Sequence, residues 1–422
     1  MRKILLTLVV LLFAGCGSKA PVLTVAVGGA PNEVAYWEQL IQDFEKETGI
    51  KVKVMRQPTD TEQRRQGLLV PLKAGQRDPD VFLMDVIWVP QFAASDWLLS
   101  LDYYVGRDSF DLSGFFAPII DQVDTYENRL VALPVYNDCG LLYFRKDLLN
   151  EYGCDAPRTW SELVRCAERI QAGEREKNPG FFGFVWQGAQ YEGLVCNFLE
   201  YCASNNGRIT DRTGEVLLVE PENIAALAFM ADLIHKYKVS PPSTYTEMKE
   251  EEVRQFFQNG NAAFERNWPY AWALHEDSTS PVRGLVGVTL LPEFAGGRHA
   301  AALGGWHVGI SAFSDAKDDA WRFVSYVVSR PAQKRLASVL GWNPGRKDLY
   351  DDPELAQVLP NLGLLADAFE HAVARPSVPY YTQLSDVLQR ELNAALAGRR
   401  TPAQALSQAQ AEAKQVVSQY GE

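Results

Sequence analysis

Residues 23–31 read LTVAVGGAP, and the fold follows from how this stretch is taken. Apolar and β-branched residues alternate over 23–27, the period of a strand, and the run breaks at Gly28-Gly29-Ala30-Pro31, which predicts a loop. Just beyond it, Tyr36, Leu40, Ile41 and Phe44 fall at helical spacing up to Gly49. Residues 51–55 alternate again as a strand, 61–73 read as a helix and 80–84 as a third strand. This β-α-β-α-β order predicts a parallel sheet covered by helices, an α/β fold. Further strands are expected over 129–134 and 141–144, then helices over 159–172, 191–203, 222–237 and 248–258. Strands return near 262–266, 285–290 and 306–311, and the last hundred residues read as helical. With no internal repeat and no long linker, the returning strands suggest two lobes joined by several crossings, the alternative being one domain after another.

The chain has 422 residues, 47% hydrophobic and 22% charged, with a formal charge of −12. That composition suits a large globular core and speaks against disorder, collagen or a polytopic membrane protein. An acidic chain without a basic tract is also a poor partner for nucleic acid. The 10 Trp, 17 Tyr and 20 Phe fit a core, and they equally fit a site for flat, partly apolar ligands. At the start, Arg2 and Lys3 precede an apolar run over 4–13 that is too short to span a bilayer, so 1–15 reads as a secretory leader. The run ends in Ala14-Gly15-Cys16, which resembles a bacterial lipoprotein cleavage box; Cys16 would then be acylated and 16–21 would form a tether. An ordinary signal peptide with an incidental cysteine is the alternative. Cys139, Cys154, Cys166, Cys196 and Cys202 match no zinc spacing and read mainly as small buried residues, with a single bridge left open. No protein-bound metal and no cofactor are expected.

Seven segments carry a family resemblance: GGAPNEVAYW at 28–37, QPTDTEQRR at 57–65, DPDVFLMD at 78–85, LPVYND at 133–138, FERNWPYAW at 264–272, LGGWHVGI at 303–310 and ARPSVPYY at 374–381. Together, in this order, they resemble the trehalose/maltose-binding proteins of sugar ABC importers, within the maltose-binding-protein-like family. The resemblance implies two α/β lobes with a hinge, a sugar in the cleft between them and no chemistry on it. It places crossings near 136–140, 303–306 and 330–343, with lobe I formed by 22–137 plus 305–342 and lobe II by 138–304 plus 343–422. It further implies an extracytoplasmic, lipid-anchored monomer whose partners are a disaccharide such as trehalose or maltose and the permease subunits, with the membrane touched only through the anchor.

A disaccharide presents a rim of hydroxyls and faces of C–H bonds. Its site needs paired acceptors and donors, plus aromatic rings over the faces. Asp85 ends an apolar strand, at the sheet edge where ligands of open α/β sheets bind, although it could simply cap the next helix. Tyr136 and Asp138, two residues apart, face one side if extended. Glu33 opens a helix, where the dipole favours a carboxylate whatever its function. Thr59 and Arg64 come from the QPTDTEQRR segment; a surface ion pair is the ordinary role for Arg64 or its neighbour Arg65. Trp268 and Tyr270 are expected on the ligand and Trp272 in the core. Gly304 and Gly305 would let backbone approach the ligand, with Trp306 stacked on a sugar ring. Arg375, before Pro376, joins the set through its motif. A secreted glycoside hydrolase is the rival: Glu33, Asp85 and Asp138 mimic its carboxylates in sequence, but nothing in the chain marks one of them as kept protonated. A receptor of the same fold for another oligosaccharide or a polyol is the nearer alternative.

Overall fold

The computed structural model describes residues 22–420 apart from Ala30, Thr59 and Arg212. The expected leader, Cys16 and Thr59 therefore lie outside the described residues. β1 (Leu23–Gly28), β2 (Val52–Gln57) and β3 (Val81–Asp85) form the predicted parallel unit, with β1 between the other two. The helix Pro31–Thr48 joins the first pair and starts on Pro31, whose missing N–H costs nothing at that position. It buries Tyr36, Trp37, Leu40, Ile41 and Phe44, a single apolar stripe. The helix Thr61–Lys73 joins the second pair, and the Asp60 carboxylate accepts the Gln63 N–H at 2.8 Å to cap it.

β4 (Thr125–Tyr126) and β5 (Arg129–Leu130) make a small hairpin, and the longer β6 begins only at Leu133 and runs to Cys139. The single strand expected over 129–134 is thus divided between two sheets. β7 (Leu141–Arg145), β8 (Phe182–Val185), β9 (Ala262–Asn267) and β10 (Val286–Thr289) build a second sheet in the order β10-β7-β9-β8. β11 (Ala301–Ile310) and β12 (Ala372–Val373) then return to the first sheet. β11 starts earlier than the expected 306. It pairs β12 through Ala301 and Ala302, β6 through Leu303–Val308 and β3 through Trp306–Ile310.

The first sheet is mixed, which corrects the expectation of a parallel one: β11 runs antiparallel to both β3 and β6. β11 arrives from a distant part of the chain, so no βαβ crossover dictates its direction. Residues of the central strands alternate between two cores. Val25, Val27, Val81 and Leu83 pack with the helices Pro31–Thr48, Lys317–Val327 and Arg330–Leu340. Ala26, Phe82 and Met84 belong to the larger core that takes in the second sheet and the helices Glu192–Ser204 and Tyr381–Leu396. Between β6 and β7 the chain passes from one sheet to the other through Gly140 alone. Cys154 and Cys166 form a disulfide with Cα atoms 6.1 Å apart, while Cys139, Cys196 and Cys202 are buried thiols.

Candidate functional site

A cavity of about 510 Å³ opens where β3, β6 and β11 meet the helices Glu192–Ser204 and Tyr381–Leu396. Asp85, the last residue of β3, lines it, and its carboxylate also accepts the Ile87 N–H at 3.1 Å. The next helix begins only at Val89 and has no side-chain cap, so Asp85 holds the turn before it and the expected cap is not formed. Burial raises the Asp85 carboxyl above its ordinary range, and Arg375 opposes that shift. Asp138 also lines the cavity. Burial pushes its carboxyl up to about 7 against a hydrogen bond from Asn343 Nδ2 to Oδ1 at 3.3 Å, and Asp85 adds to the rise.

Strand register places the next groups. Trp306 lies opposite Asp85 on β3 and Tyr136 on β6, and Gly304 lies opposite Asp138. The Trp306 ring packs edge-on against Trp88, centroids 5.3 Å apart, and the Arg64 guanidinium carbon sits 4.5 Å from its centroid. One ring face is thus taken by Arg64. Gly304 and Gly305 do line the cavity, but their own neighbours explain the missing side chains. Gly305 has φ +124°, and a Cβ there would sit 2.3 Å from the Tyr136 carbonyl oxygen. At Gly304 a Cβ would lie 3.3 Å from the Trp268 ring. Trp268 lines the cavity, donates Nε1–H to Glu250 at 3.4 Å and lies under the Arg266 guanidinium, 4.2 Å from the centroid. Tyr270 lines it at the exposed edge with its hydroxyl donated to Glu251 at 2.7 Å, while Trp272 packs against the core.

Arg375 is buried in the lining and ion-paired to Glu192 at 2.9 Å. Three expected residues stand off the lining. Tyr136 stacks on Trp342 with centroids 4.2 Å apart, and burial raises its hydroxyl well above the ordinary value. Glu33 folds over Gly29, and Arg64 donates Nε–H to the Pro58 carbonyl at 2.7 Å. Arg64 and Arg65 are both buried, which corrects the surface role considered for them, and it is Arg65 that lines the cavity.

Residues unforeseen in the sequence complete the wall. Trp88 stands three positions after Asp85, Glu192 and Glu250 each open a helix, and Tyr381, Ser385 and Gln389 recur every four residues on one helix. The four-residue spacing was a signal, but any amphipathic helix shows it.

A cavity with aromatic rings beside carboxylates, floored by strands of a mixed sheet, is the arrangement a receptor of the two-lobe solute-binding class needs. The chain belongs to the bacterial extracellular solute-binding protein family, whose model matches residues 30–334. It is 37% identical over 366 residues to a probable ABC transporter-binding protein of Deinococcus radiodurans, covering 86% of this chain and 85% of that one. The solved structure of maltose-bound T. maritima MalE3 is 42% identical with a TM-score of 0.82, covering 93% of this chain and 98% of that one. A solute-binding protein of an Agrobacterium radiobacter K84 ABC transporter, in complex with ribitol, is 28% identical with a TM-score of 0.80, covering 94% and 98%.

Proposed function

We propose that the protein is the extracytoplasmic receptor of an ABC sugar importer and binds a disaccharide such as maltose or trehalose in this cavity. The observation that carries the reading is the pairing, in one cavity, of the Trp88, Trp268 and Trp306 rings with the Asp85, Asp138 and Glu250 carboxylates. Rings cover C–H faces, and carboxylates accept hydroxyl protons that would otherwise be buried unpaired. The likeness to the maltose-bound relative supports the same ligand class. Asp85, Asp138, Trp268, Tyr270, Gly304, Gly305, Trp306 and Arg375 form the contact set, joined by Arg65. Glu33, Arg64 and Tyr136 support it from behind.

A polyol is the second reading, favoured by the likeness to the ribitol complex. Thermal-shift screening against maltose, trehalose, sucrose, glucose and ribitol separates the two, because a ligand at about 100 times its Kd adds about 2.7 kcal/mol of native-state stability. A disaccharide should give the largest rise in Tm. A response to ribitol alone would overturn the disaccharide reading. The same samples should contain no released glucose. Product would favour a hydrolase, for which the raised Asp138 carboxyl is the kind of group a general acid needs.

A further inference from the structure

Glu192 lines the cavity, yet its carboxylate is already occupied by protein donors. Arg375 Nη1 donates to Oε1 at 2.9 Å, the Tyr381 hydroxyl donates to the same oxygen at 2.5 Å, and the Ser385 hydroxyl donates to Oε2. These donors come from a segment nearly two hundred residues along the chain, so the cluster is a tertiary device and not a local cap. Arg375 has only 7% of its side chain exposed. Its Nη2 donates to the Leu303 carbonyl at 3.3 Å, and the same atom lies 3.8 Å from Asp85 Oδ1, too far for a hydrogen bond. Its Nε has no hydrogen-bond partner among the described residues.

One buried guanidinium therefore sits between two carboxylates from different parts of the fold: Asp85 at the end of β3 and Glu192 at the start of a helix over the second sheet. It is bonded to Glu192 and stands off from Asp85. Without a competing acceptor, a guanidinium this close to a carboxylate would close on it as a bidentate pair. That collapse would consume both the Asp85 lone pairs and the Arg375 donors.

We propose that Glu192 is a positioning residue of the cavity: braced by Tyr381 and Ser385, it draws Arg375 away from Asp85 and so leaves an acceptor and a donor side by side for ligand hydroxyls. The inference rests on the cavity being a sugar site, and it adds to that reading a residue acting through another. An apposed carboxylate and guanidinium suit a ligand with vicinal hydroxyls, one donating and one accepting.

The test has two arms on the full mature chain. In the first, calorimetry with the best sugar of the panel follows Glu192→Gln, Arg375→Ala and the double variant. Glu192→Gln should weaken binding on the order of tenfold, the scale of one charge-assisted hydrogen bond, and should change it less than about twofold once Arg375 is absent. A loss of the same size in both backgrounds would overturn the proposal, because Glu192 would then act independently of Arg375. Wild-type affinity in Glu192→Gln would overturn it as well. In the second arm, carbon-13 NMR titrates the Asp85 carboxyl without sugar. Glu192→Gln should lower the Asp85 midpoint both by losing the Glu192 charge and by releasing Arg375; Tyr381→Phe, which keeps every charge, isolates the release and should shift the midpoint less, in the same direction. An unmoved midpoint in Tyr381→Phe rejects the proposal. If Glu192→Gln does not fold, Tyr381→Phe decides. If the wild type binds no sugar of the panel, the sugar reading fails and the titration alone decides the role of Glu192.

Discussion

The two walls of the cavity are held by opposite means. On the strand wall, Asp85, Asp138, Gly304 and Trp306 are positioned by backbone ladders, and the register that sets Trp306 opposite Asp85 also sets Gly304 opposite Asp138. On the helix wall, Glu192, Tyr381 and Ser385, with Arg375 from the loop before the second helix, are positioned by one another through side-chain hydrogen bonds. A ladder fixes each residue separately, whereas a side-chain network fixes its members jointly. Substitutions of Gly304 and Trp306 on the strand wall should therefore act locally and add, whereas those on the helix wall, and at Asp85 which faces Arg375, should be coupled.

The strongest test of that contrast is Trp306→Ala. The buried ring area, plus about 0.5–1.5 kcal/mol for stacking, sets a binding loss of roughly 2–4 kcal/mol. Trp306→Phe should regain part of it. The ring also touches Trp88 and Arg64, so the ligand-free Tm should fall as well, but the partly exposed side chain makes that fall modest. Calorimetry beside melting curves reads both. Wild-type binding by Trp306→Ala would remove the platform, and a collapse of the ligand-free Tm would return Trp306 to the core.

Asp138→Asn comes next, at about 1.5–3 kcal/mol of binding, since it keeps the shape and trades an acceptor for a donor. Its pH dependence has a definite sign. The folded carboxyl is pushed up to about 7 by burial, and the unfolded one titrates near ~3.9. The stability that Asp138 contributes is therefore fully present below about pH 4 and lost as pH rises through about 7. Ligand-free wild type should lose Tm relative to Asp138→Asn across that window. Sugar affinity should run the other way, rising with pH as the carboxylate becomes an acceptor. Parallel trends in melting and calorimetry, or two flat profiles, would count against an acceptor at this position.

What was legible in the sequence follows the same division. β1 and β2 alternate, the first helix shows a 3.6-residue apolar stripe and β3 is a short apolar run that stops at a carboxylate, so Asp85 is legible as a strand end. Ala301-Ala302-Leu303-Gly304-Gly305 has no alternation, so the start of β11 was hidden, and strand direction leaves no local trace at all. Gly305 stands out as a glycine in the sequence, but what requires it, the Tyr136 carbonyl across the ladder, is tertiary. Arg64 and Arg65 are consecutive on a helix and point about 100° apart, so one sequence pattern could not decide which reaches the cavity. Nothing local singles out Glu192 from any other helix-start carboxylate, because its partners lie far along the chain.

Tyr270→Phe is the smallest change and the finest probe of the helix wall. The hydroxyl donates to Glu251 at 2.7 Å, and the residue is 37% exposed, so water competes for both partners. Removing only the oxygen leaves the ring in the lining and frees Glu251 to solvent. A hydrogen bond at such an exposed edge is worth about 0.5 kcal/mol, and the binding loss should be no larger. If calorimetry finds a loss above about 1.5 kcal/mol, the hydroxyl has left Glu251 for the ligand, and the rim contributes on the scale of a buried charged contact. Glu250, one residue earlier, bonds the Trp268 indole at 3.4 Å and lines the cavity, whereas Glu251 is absent from the lining. A large effect at Tyr270 would mean that the helix wall closes over the ligand from its edge inwards, and a small one that its grip is confined to the network around Glu192.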